Sequence, residues 1–267
     1  MKAMIMVLRE QIGSLYLIRR LSLYELKISN NSNHLGMLWE VINPLIQLSI
    51  YWFVFGFGIR GGKGVEGVPF IYWLSVGLLV WFFLNPAVLQ SSKAIYTRIA
   101  LISKINFPMS VIPSYVIASQ LYQHLILTGV VMIGFLFTGR GISLHLLQLP
   151  YYTFAMVMMI FALSLITSTL ATVVRDVQMI VQSVMRMMMY VTPILWTPDK
   201  LPHAVQKLLL LNPFYYIVEG YRQALLGTGW FYQHLHYMLY FWALVLLLLL
   251  VGSALHVKFR KQFVDYL

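Results

Sequence analysis

The sequence predicts an all-α integral membrane protein with six transmembrane helices and an N-terminal amphipathic helix at the membrane interface. Two observations predict this class. Of the 267 residues, 60% are hydrophobic and only 10% are charged, whereas soluble domains carry roughly a quarter charged residues. The apolar residues also form runs of about 20, which is the length that a helix needs to cross the hydrocarbon core of a bilayer.

Six apolar runs are about long enough to span, and they lie at residues 41–59, 70–89, 111–137, 149–174, 177–196 and 237–257. Six crossings place both termini on the same side of the membrane. The segments on that side hold 12 Lys and Arg residues, and the segments on the opposite side hold 6. Because cytoplasmic loops carry the excess of basic residues, we expect a multi-pass protein of the plasma membrane with both termini in the cytoplasm.

Residues 1–40 precede the first span, and their pattern predicts a helix that lies in the membrane surface. The apolar cluster on a helical wheel consists of Leu8, Ile12, Leu15, Leu23 and Leu26. Basic residues on the adjacent edge, which can reach lipid phosphates, are Arg9, Arg20 and Lys27. Arg19 falls on the apolar cluster, so its long side chain has to extend towards the surface.

Two further segments lie outside the simple spans. Residues 93–108 are mixed polar and apolar and are long enough for about three helical turns. Residues 192–222 are apolar but divided by prolines, so no unbroken piece reaches the length of a span. These prolines are Pro193, Pro198, Pro202 and Pro213. Asn212 precedes a proline and is therefore pushed out of helical geometry, which leaves open whether the segment crosses the bilayer or returns.

The sequence has few of the residue patterns that the active site of an enzyme needs. It has no cysteine, which excludes thiol nucleophiles and Cys-ligated zinc. The glycine-rich run at 61–64 lacks the spacing and the hydroxyl residue of a phosphate-binding loop. The eight acidic residues are scattered singly, so we expect no catalytic residue and no metal site. The net charge of +11 is dispersed between apolar spans, which favours anionic lipids or an anionic cargo over nucleic acid.

Polar side chains at membrane depth are costly in hydrocarbon, so they mark either helix contacts or a path for a polar cargo. Gln123 and His124 lie near the middle of the third span, with Gln120 one turn earlier, and Gln47 lies in the first span. Arg186 lies about 15 Å along the fifth span, which is roughly mid-bilayer. Hydrogen bonds between helices would explain these residues as well as a cargo path would.

Aromatic residues are concentrated in the first two spans. Tyr and Trp near the ends of spans usually form belts at the membrane interface, and this explanation fits Tyr51 and Tyr72. Trp81 and Phe82 lie deeper in the second span. Flat aromatic faces at that depth can stack on sugar rings, so these two residues are also candidates for weak contacts with carbohydrate.

Three stretches together resemble the polysaccharide-exporting permeases of ABC transporters. They are LGMLWEVINPLIQLSIYWFVFG (35–56), RDVQMIVQSVMRMMMYVTPILW (175–196) and LPHAVQKLLLLNPFYYIVEGYR (201–222). Their order and spacing agree with that family over essentially the whole chain. Within the family, residues 19–40 and 50–60 look most like the teichoic acid translocation permeases of Gram-positive bacteria.

The resemblance implies a single transmembrane permease domain, residues 1–267, that works as a homodimer with two copies of a separate ABC ATPase. ATP and Mg would bind to the ATPase, so no cofactor is expected in this chain. Residues 93–108 would hold a cytoplasmic coupling helix. Its expected contacts with the ATPase are Tyr96, Arg98, Ile99, Ile102, Ser103, Lys104 and Asn106. Residues 197–236 would form re-entrant external helices, and the expected gate residues are Pro193, Pro198, Pro202, Asn212 and Pro213.

The resemblance also implies export of polyprenyl-pyrophosphate-linked wall teichoic acid, an anionic polymer. The expected substrate path is lined by Tyr51, Phe55, Trp81, Phe82, Gln123, His124 and Arg186. The residues expected to hold the lipid pyrophosphate at the membrane interface are Arg9, Arg19 and Arg20. The alternative is export of O-antigen, capsular polysaccharide or a small drug. An embedded transferase or an ion channel is disfavoured, because the sequence shows neither an acidic or histidine cluster nor a repeated selectivity motif.

Overall fold

A computed structural model describes residues 1–30, 34–65, 67–102, 107–136, 143–260 and 262–263. The described residues are almost entirely helical, which confirms the predicted class. The α-helices are α1 (Lys2–Gly13), α2 (Leu15–Asn30), α3 (Trp39–Tyr51), α4 (Phe70–Ser92), α5 (Ala94–Ile102), α6 (Val111–Leu136), α7 (Leu149–Val173), α8 (Asp176–Val191), α9 (His203–Leu209), α10 (Pro213–Leu226) and α11 (Leu235–Phe259). A π-helical stretch, Trp52–Ile59, continues α3.

Five helical segments in the described part of the chain are long and apolar enough to cross a membrane. They are Gly36–Ile59, Phe70–Ser92, Val111–Leu136, Leu144–Val173 and Phe231–Phe259. The predicted span at 177–196 is instead the shorter α8, which has 16 residues and a length of about 24 Å. Helix α8 ends here because Pro193 offers no N–H and forces Thr192 into an extended conformation, with ψ 131°.

Helix α4 forms the centre of the bundle and packs against α6, α7, α8 and α10. Its side chains are buried along most of its length; Leu74, Leu78 and Leu84 have no exposed surface. The first span has the opposite character, since only Gly56 of the residues from Trp39 to Ile59 is buried. The first span therefore lies at the edge of the described molecule.

Helices α7 and α11 pack closely because Gly252 brings their backbones together. A Cβ atom at Gly252 would lie 2.9 Å from the Cβ of Leu165 and 3.1 Å from the carbonyl oxygen of Ala162. Small residues commonly allow this approach in membrane helices, where van der Waals contact drives association. The contact fixes α11 against the centre of the bundle.

The N-terminal region forms two helices rather than the single one expected, because the chain breaks at Ser14 between α1 and α2. Because of the break, the two helices do not share the single apolar face that was predicted. Ile12 and Leu15 are 71% and 61% exposed, whereas Val7 and Leu26 are buried. Helix α1 packs against α11, and α2 packs along α6. The end of the bundle that carries α1, α2 and α5 is called the terminal end, and the opposite end is called the distal end.

The proline-rich segment forms short helices at the distal end. Pro198 begins a 3-10 turn, Pro202 caps α9 and Pro213 is the first residue of α10. Each proline lacks an N–H, which costs little at the start of a helix. Gly227 ends α10 in the left-handed conformation, with φ 73°. Helices α9 and α10, joined by the turn at 210–212, are called the distal hairpin, and α10 packs back against α4 and α7. The described residues of the segment form no helix long enough to cross a membrane.

Candidate functional site

A polar cleft of about 500 Å³ lies between α3, α4 and α6, with the edge of α8 beside it. Its described lining residues are Trp39, Glu40, Asn43, Pro44, Gln47, Tyr51, Trp81, Phe82, Asn85, Pro86, Gln90, Gln120, Gln123 and Met189. Along α3 the lining runs from Trp39 to Tyr51, which is about 18 Å of helix. The cleft therefore extends from the terminal end to the middle of the bundle.

Helical spacing brings the amide side chains of the cleft onto facing surfaces. Asn43 and Gln47 lie one turn apart on α3, and the Gln47 Nε2 donates to Asn43 Oδ1 at 3.2 Å. Gln120 and Gln123 lie three residues apart on α6, so they share a face of that helix. The amides of α4 that complete the lining are Asn85 and Gln90. Because an amide both donates and accepts, these walls can hydrogen-bond a hydroxyl group in any orientation.

Aromatic side chains lie beside the amides. Trp81 is almost fully buried at the wall of the cleft, and Phe82 is half-buried next to it. The Tyr51 ring lies 6.3 Å from the Phe55 ring, and the Tyr51 hydroxyl lies 3.9 Å from the Met189 Sδ on α8. Apolar ring faces next to a few convergent polar groups are the usual lining of a site for an organic ligand.

The charge of the cleft distinguishes between classes of ligand. Among its described lining residues, Glu40 is the only charged side chain, and none is Lys or Arg. A polyanion in this cleft would leave its phosphates without a cationic partner, which is costly away from bulk water. A neutral polymer rich in hydroxyl groups needs only the amides. The cleft thus fits a neutral carbohydrate better than an anionic one.

The structure brings together four of the residues predicted to line the substrate path, namely Tyr51, Trp81, Phe82 and Gln123. Phe55 lies one turn beyond Tyr51, outside the lining. The amides that sequence reasoning missed are Asn43, Asn85 and Gln90. The sequence could have indicated them in the same way as Gln123, because each is an uncharged polar side chain at membrane depth.

His124 and Arg186 lie outside the cleft. His124 is 3% exposed, and its Nε2 lies 2.9 Å from the hydroxyl of Tyr221 on α10. That hydroxyl also lies 2.6 Å from the Oγ1 of Thr153 on α7, so the cluster joins α6, α7 and α10. Burial raises the pKa of Tyr221, which keeps the hydroxyl protonated for these bonds. Arg186 is exposed on α8 and donates from Nε to the carbonyl oxygen of Gln182 at 3.4 Å.

The predicted gate residues lie in and around the distal hairpin. Asn212 caps α10 by accepting from the backbone N–H of Phe214 at 3.0 Å, and it donates to Thr192 Oγ1 at 2.9 Å. Arg222 is buried with its guanidinium 3.5 Å from the centre of the Trp73 ring on α4. The hairpin is therefore fixed to the end of α8 and to α4 by polar as well as apolar contacts.

The residues predicted to contact an ATPase lie at the terminal end. Arg98 of α5 forms an ion pair with Glu25 of α2, and its guanidinium lies 5.7 Å from the centre of the Tyr115 ring. Tyr96 is half-buried on the same helix. The structure describes the backbone but not the side chains of Ile99 and Ile102. Three further predicted residues, Ser103, Lys104 and Asn106, lie outside the described residues. The arginines predicted to meet lipid, Arg9, Arg19 and Arg20, are all exposed.

Comparison with known proteins identifies the family. The family model described as ABC-2 type transporter matches residues 16–226, which is most of the chain. This chain belongs to the ABC-2 type transporter family. The membership makes it a multi-pass membrane permease rather than an enzyme, which confirms the coarser part of the prediction.

Individual relatives of this ABC-2 permease carry a more specific name. Two proteins from Klebsiella pneumoniae, each named O-antigen export system permease protein RfbA, are 30% identical over 246 residues, covering 91% of this chain and 92% of the relative. A protein of the same name from Myxococcus xanthus is 26% identical over 212 residues, covering 79% of this chain and 78% of the relative. These names agree with the alternative expectation, O-antigen or capsule export, better than with teichoic acid export.

Proposed function

We propose that this ABC-2 permease exports a lipid-linked polysaccharide of the O-antigen kind and that the cleft between α3, α4 and α6 holds the polymer. The observation that carries the proposal is the lining itself, in which amides and aromatic rings surround a space without a described basic side chain. Relatives named O-antigen export permeases, aligned over nearly the full length, support the same cargo. Teichoic acid ranks second, supported by the net charge of +11 but not by the cleft.

A second copy of the chain would complete the path. Helix α8 exposes Gln182, Ser183 and Arg186, and α3 exposes Asn43. These side chains lie on helices of the bundle, where a charged residue facing lipid at the centre costs about 2.5–3.5 kcal/mol. Two copies that face each other through α3 and α8 would turn these groups towards a shared, hydrated path. In that arrangement Arg186 would meet a phosphate of the cargo lipid during passage.

The terminal end has features that suit the lipid pyrophosphate. Lys2 and Arg9 lie on one exposed face of α1 together with Ile5, Met6 and Glu10. Cationic side chains beside exposed apolar ones fit a phosphate attached to a prenyl chain. Arg19 and Arg20 add exposed positive charge on α2. We assign the initial contact with the lipid-linked polymer to this end.

A separate ABC ATPase would supply the energy, since the family implies such a partner. Helix α5 lies at the terminal end and contacts α4, α6 and α7, so a displacement of α5 would reach three helices of the bundle. The distal hairpin and the residues that precede it, 192–202, would form the gate at the other end of the path. The proposed gate residues are Pro193, Pro198, Pro202, Asn212 and Pro213.

Export assays with variants of the cleft test the proposal. The double variant Gln120→Leu/Gln123→Leu removes two hydrogen-bonding side chains, and we expect export of surface polysaccharide to fall about tenfold. Leu125→Ala serves as the control, because Leu125 is exposed on the same helix outside the cleft. Normal export by the double variant at equal protein abundance would refute the role of the cleft.

A further inference from the structure

A second pocket, of about 350 Å³, lies at the distal end between α10 and the starts of α7 and α11. Its described lining residues are Tyr152, Leu210, Tyr215, Tyr216, Glu219, Gly220, Gln223, Phe231, His234 and Tyr237. No described residue lines both this pocket and the cleft. We propose that this distal pocket is a binding site for one neutral sugar unit of a glycan.

The aromatic rings of the distal pocket are held in fixed positions. Tyr216 stacks on Phe241 with ring centres 4.4 Å apart, and it meets Tyr237 edge-on at 5.0 Å. The Tyr152 ring lies directly against Gly220, where a side chain would occupy the same space. Rigid rings of this kind offer contact area at little cost in conformational entropy, which suits the weak binding of a sugar.

One hydroxyl group in the lining has no hydrogen-bond partner within the part of the chain that the structure describes. The Tyr216 hydroxyl bonds that of Tyr151 at 2.8 Å, and the Tyr152 hydroxyl donates to Gln223 Oε1 at 3.3 Å. In contrast, the Tyr237 hydroxyl is buried without a hydrogen bond to any described residue. Buried polar groups are nearly always hydrogen-bonded, so an exception beside a pocket points to a ligand that supplies the missing bond.

The other polar groups define the ligand class. Glu219 accepts hydrogen bonds, while the Gln223 amide and His234 can both donate and accept. No described residue of the lining is Lys or Arg, so the pocket does not fit an anion such as a polyol phosphate. An ammonium headgroup would use Glu219 and the rings but none of the donors. A sugar hydroxyl, which donates and accepts, can use every one of them.

The assignment of the distal pocket rests on the proposed function, because the exported polysaccharide would be the source of the sugar. The cleft starts at the terminal end and the pocket lies at the distal end, so a polymer leaving the cleft would reach the pocket last. Weak binding of one sugar unit there would hold the emerging chain while the permease returns for the next step.

Ligand-detected NMR on the purified permease in lipid nanodiscs tests the site, with methyl glycosides of common hexoses and phosphocholine as probes. We expect saturable glycoside binding that Tyr237→Phe weakens about threefold to tenfold, the value of one hydrogen bond. Thermal stability should not fall, because the Tyr237 hydroxyl has no hydrogen-bond partner among the described residues. His234→Ala, at an exposed position, should weaken the same binding.

A control variant locates the binding. Tyr232→Phe removes an exposed hydroxyl outside the distal pocket, so it should bind glycoside normally. Absence of saturable glycoside binding, equal binding by Tyr237→Phe, or binding of phosphocholine alone would overturn the proposal. The measurement needs neither ATPase nor export, so its failure leaves the proposed function standing, and a failure of export leaves the binding result standing.

Discussion

Single residues determine how closely α10 packs against the bundle. Gly220 lies against the Tyr152 ring, and Arg222 lies against the Trp73 ring with its Nη1 3.5 Å from Glu219. Gly77 of α4 leaves room for this arginine, since a Cβ there would lie 2.9 Å from its Nη2. Side chains of these sizes are therefore required at the contact between the hairpin and the bundle.

Gly220→Ala should destabilise the permease by about 1–3 kcal/mol, because the added methyl group overlaps the Tyr152 ring in a close-packed contact. Thermal unfolding of the detergent-solubilised protein measures the effect. Gly129→Ala is the matched control, since a Cβ at Gly129 meets nothing within 4 Å and alanine favours a helix. Equal unfolding temperatures for the two variants would contradict the packing of α10.

Arg186→Gln should lower export about tenfold without loss of folded protein, because Arg186 is exposed on α8 and is assigned a contact with the cargo phosphate. Export and membrane abundance are measured together. Lys207→Gln removes a different exposed cation, on α9, and should export normally. If Arg186→Gln also exports normally, Arg186 takes no part in the path.

Ion pairs join the N-terminal helices α1 and α2 to the other helices of the molecule. Glu25 of α2 pairs with Arg98 of α5, and Glu10 of α1 pairs with Arg260 at 2.7 Å. Gln11 also donates to the carbonyl oxygen of Ser110 at 3.0 Å. Through these contacts α1 and α2 connect the proposed coupling helix α5 to α6 and to the end of α11.

Charge reversal tests the link between α2 and α5. Glu25→Arg and Arg98→Glu should each reduce polymer-stimulated ATP hydrolysis about twofold to fivefold, as expected for a partly exposed pair worth up to about 1 kcal/mol. The double variant Glu25→Arg/Arg98→Glu restores opposite charges and should recover most of the loss. Additive losses in the double variant would show that the pair does not transmit motion.

The periodicity and length of the apolar runs predicted the helices better than they predicted the contacts between the helices. The bounds of α4, α6 and α7 follow from unbroken apolar runs, and prolines marked where short helices begin. The break at Ser14 has no proline and follows Gly13. Gln123 and His124 show why the site was only partly predictable. Adjacent residues point about 100° apart on a helix, so one faces the cleft and the other faces α10, and only tertiary packing decides which.

The ion pair between Glu10 and Arg260 brings α1 and the end of α11 together at the terminal end of the molecule. The orientation of the bundle is testable because the sequence has no cysteine, so a single introduced thiol reports its own side. We expect Lys63→Cys to react with a membrane-impermeant reagent added to intact cells. Lys2→Cys should react only after lysis, and the reverse pattern would invert the assigned topology.

A reconstituted system that compares two cargoes tests most directly whether the cleft carries a neutral glycan. The permease and its ATPase in proteoliposomes would receive either a lipid-linked neutral polysaccharide or a lipid-linked poly(polyol phosphate). We predict that the neutral polymer stimulates ATP hydrolysis and is translocated, and that Gln120→Leu/Gln123→Leu abolishes most of both effects. Equal or stronger stimulation by the poly(polyol phosphate) would contradict a neutral cargo and would favour an anionic polymer such as teichoic acid.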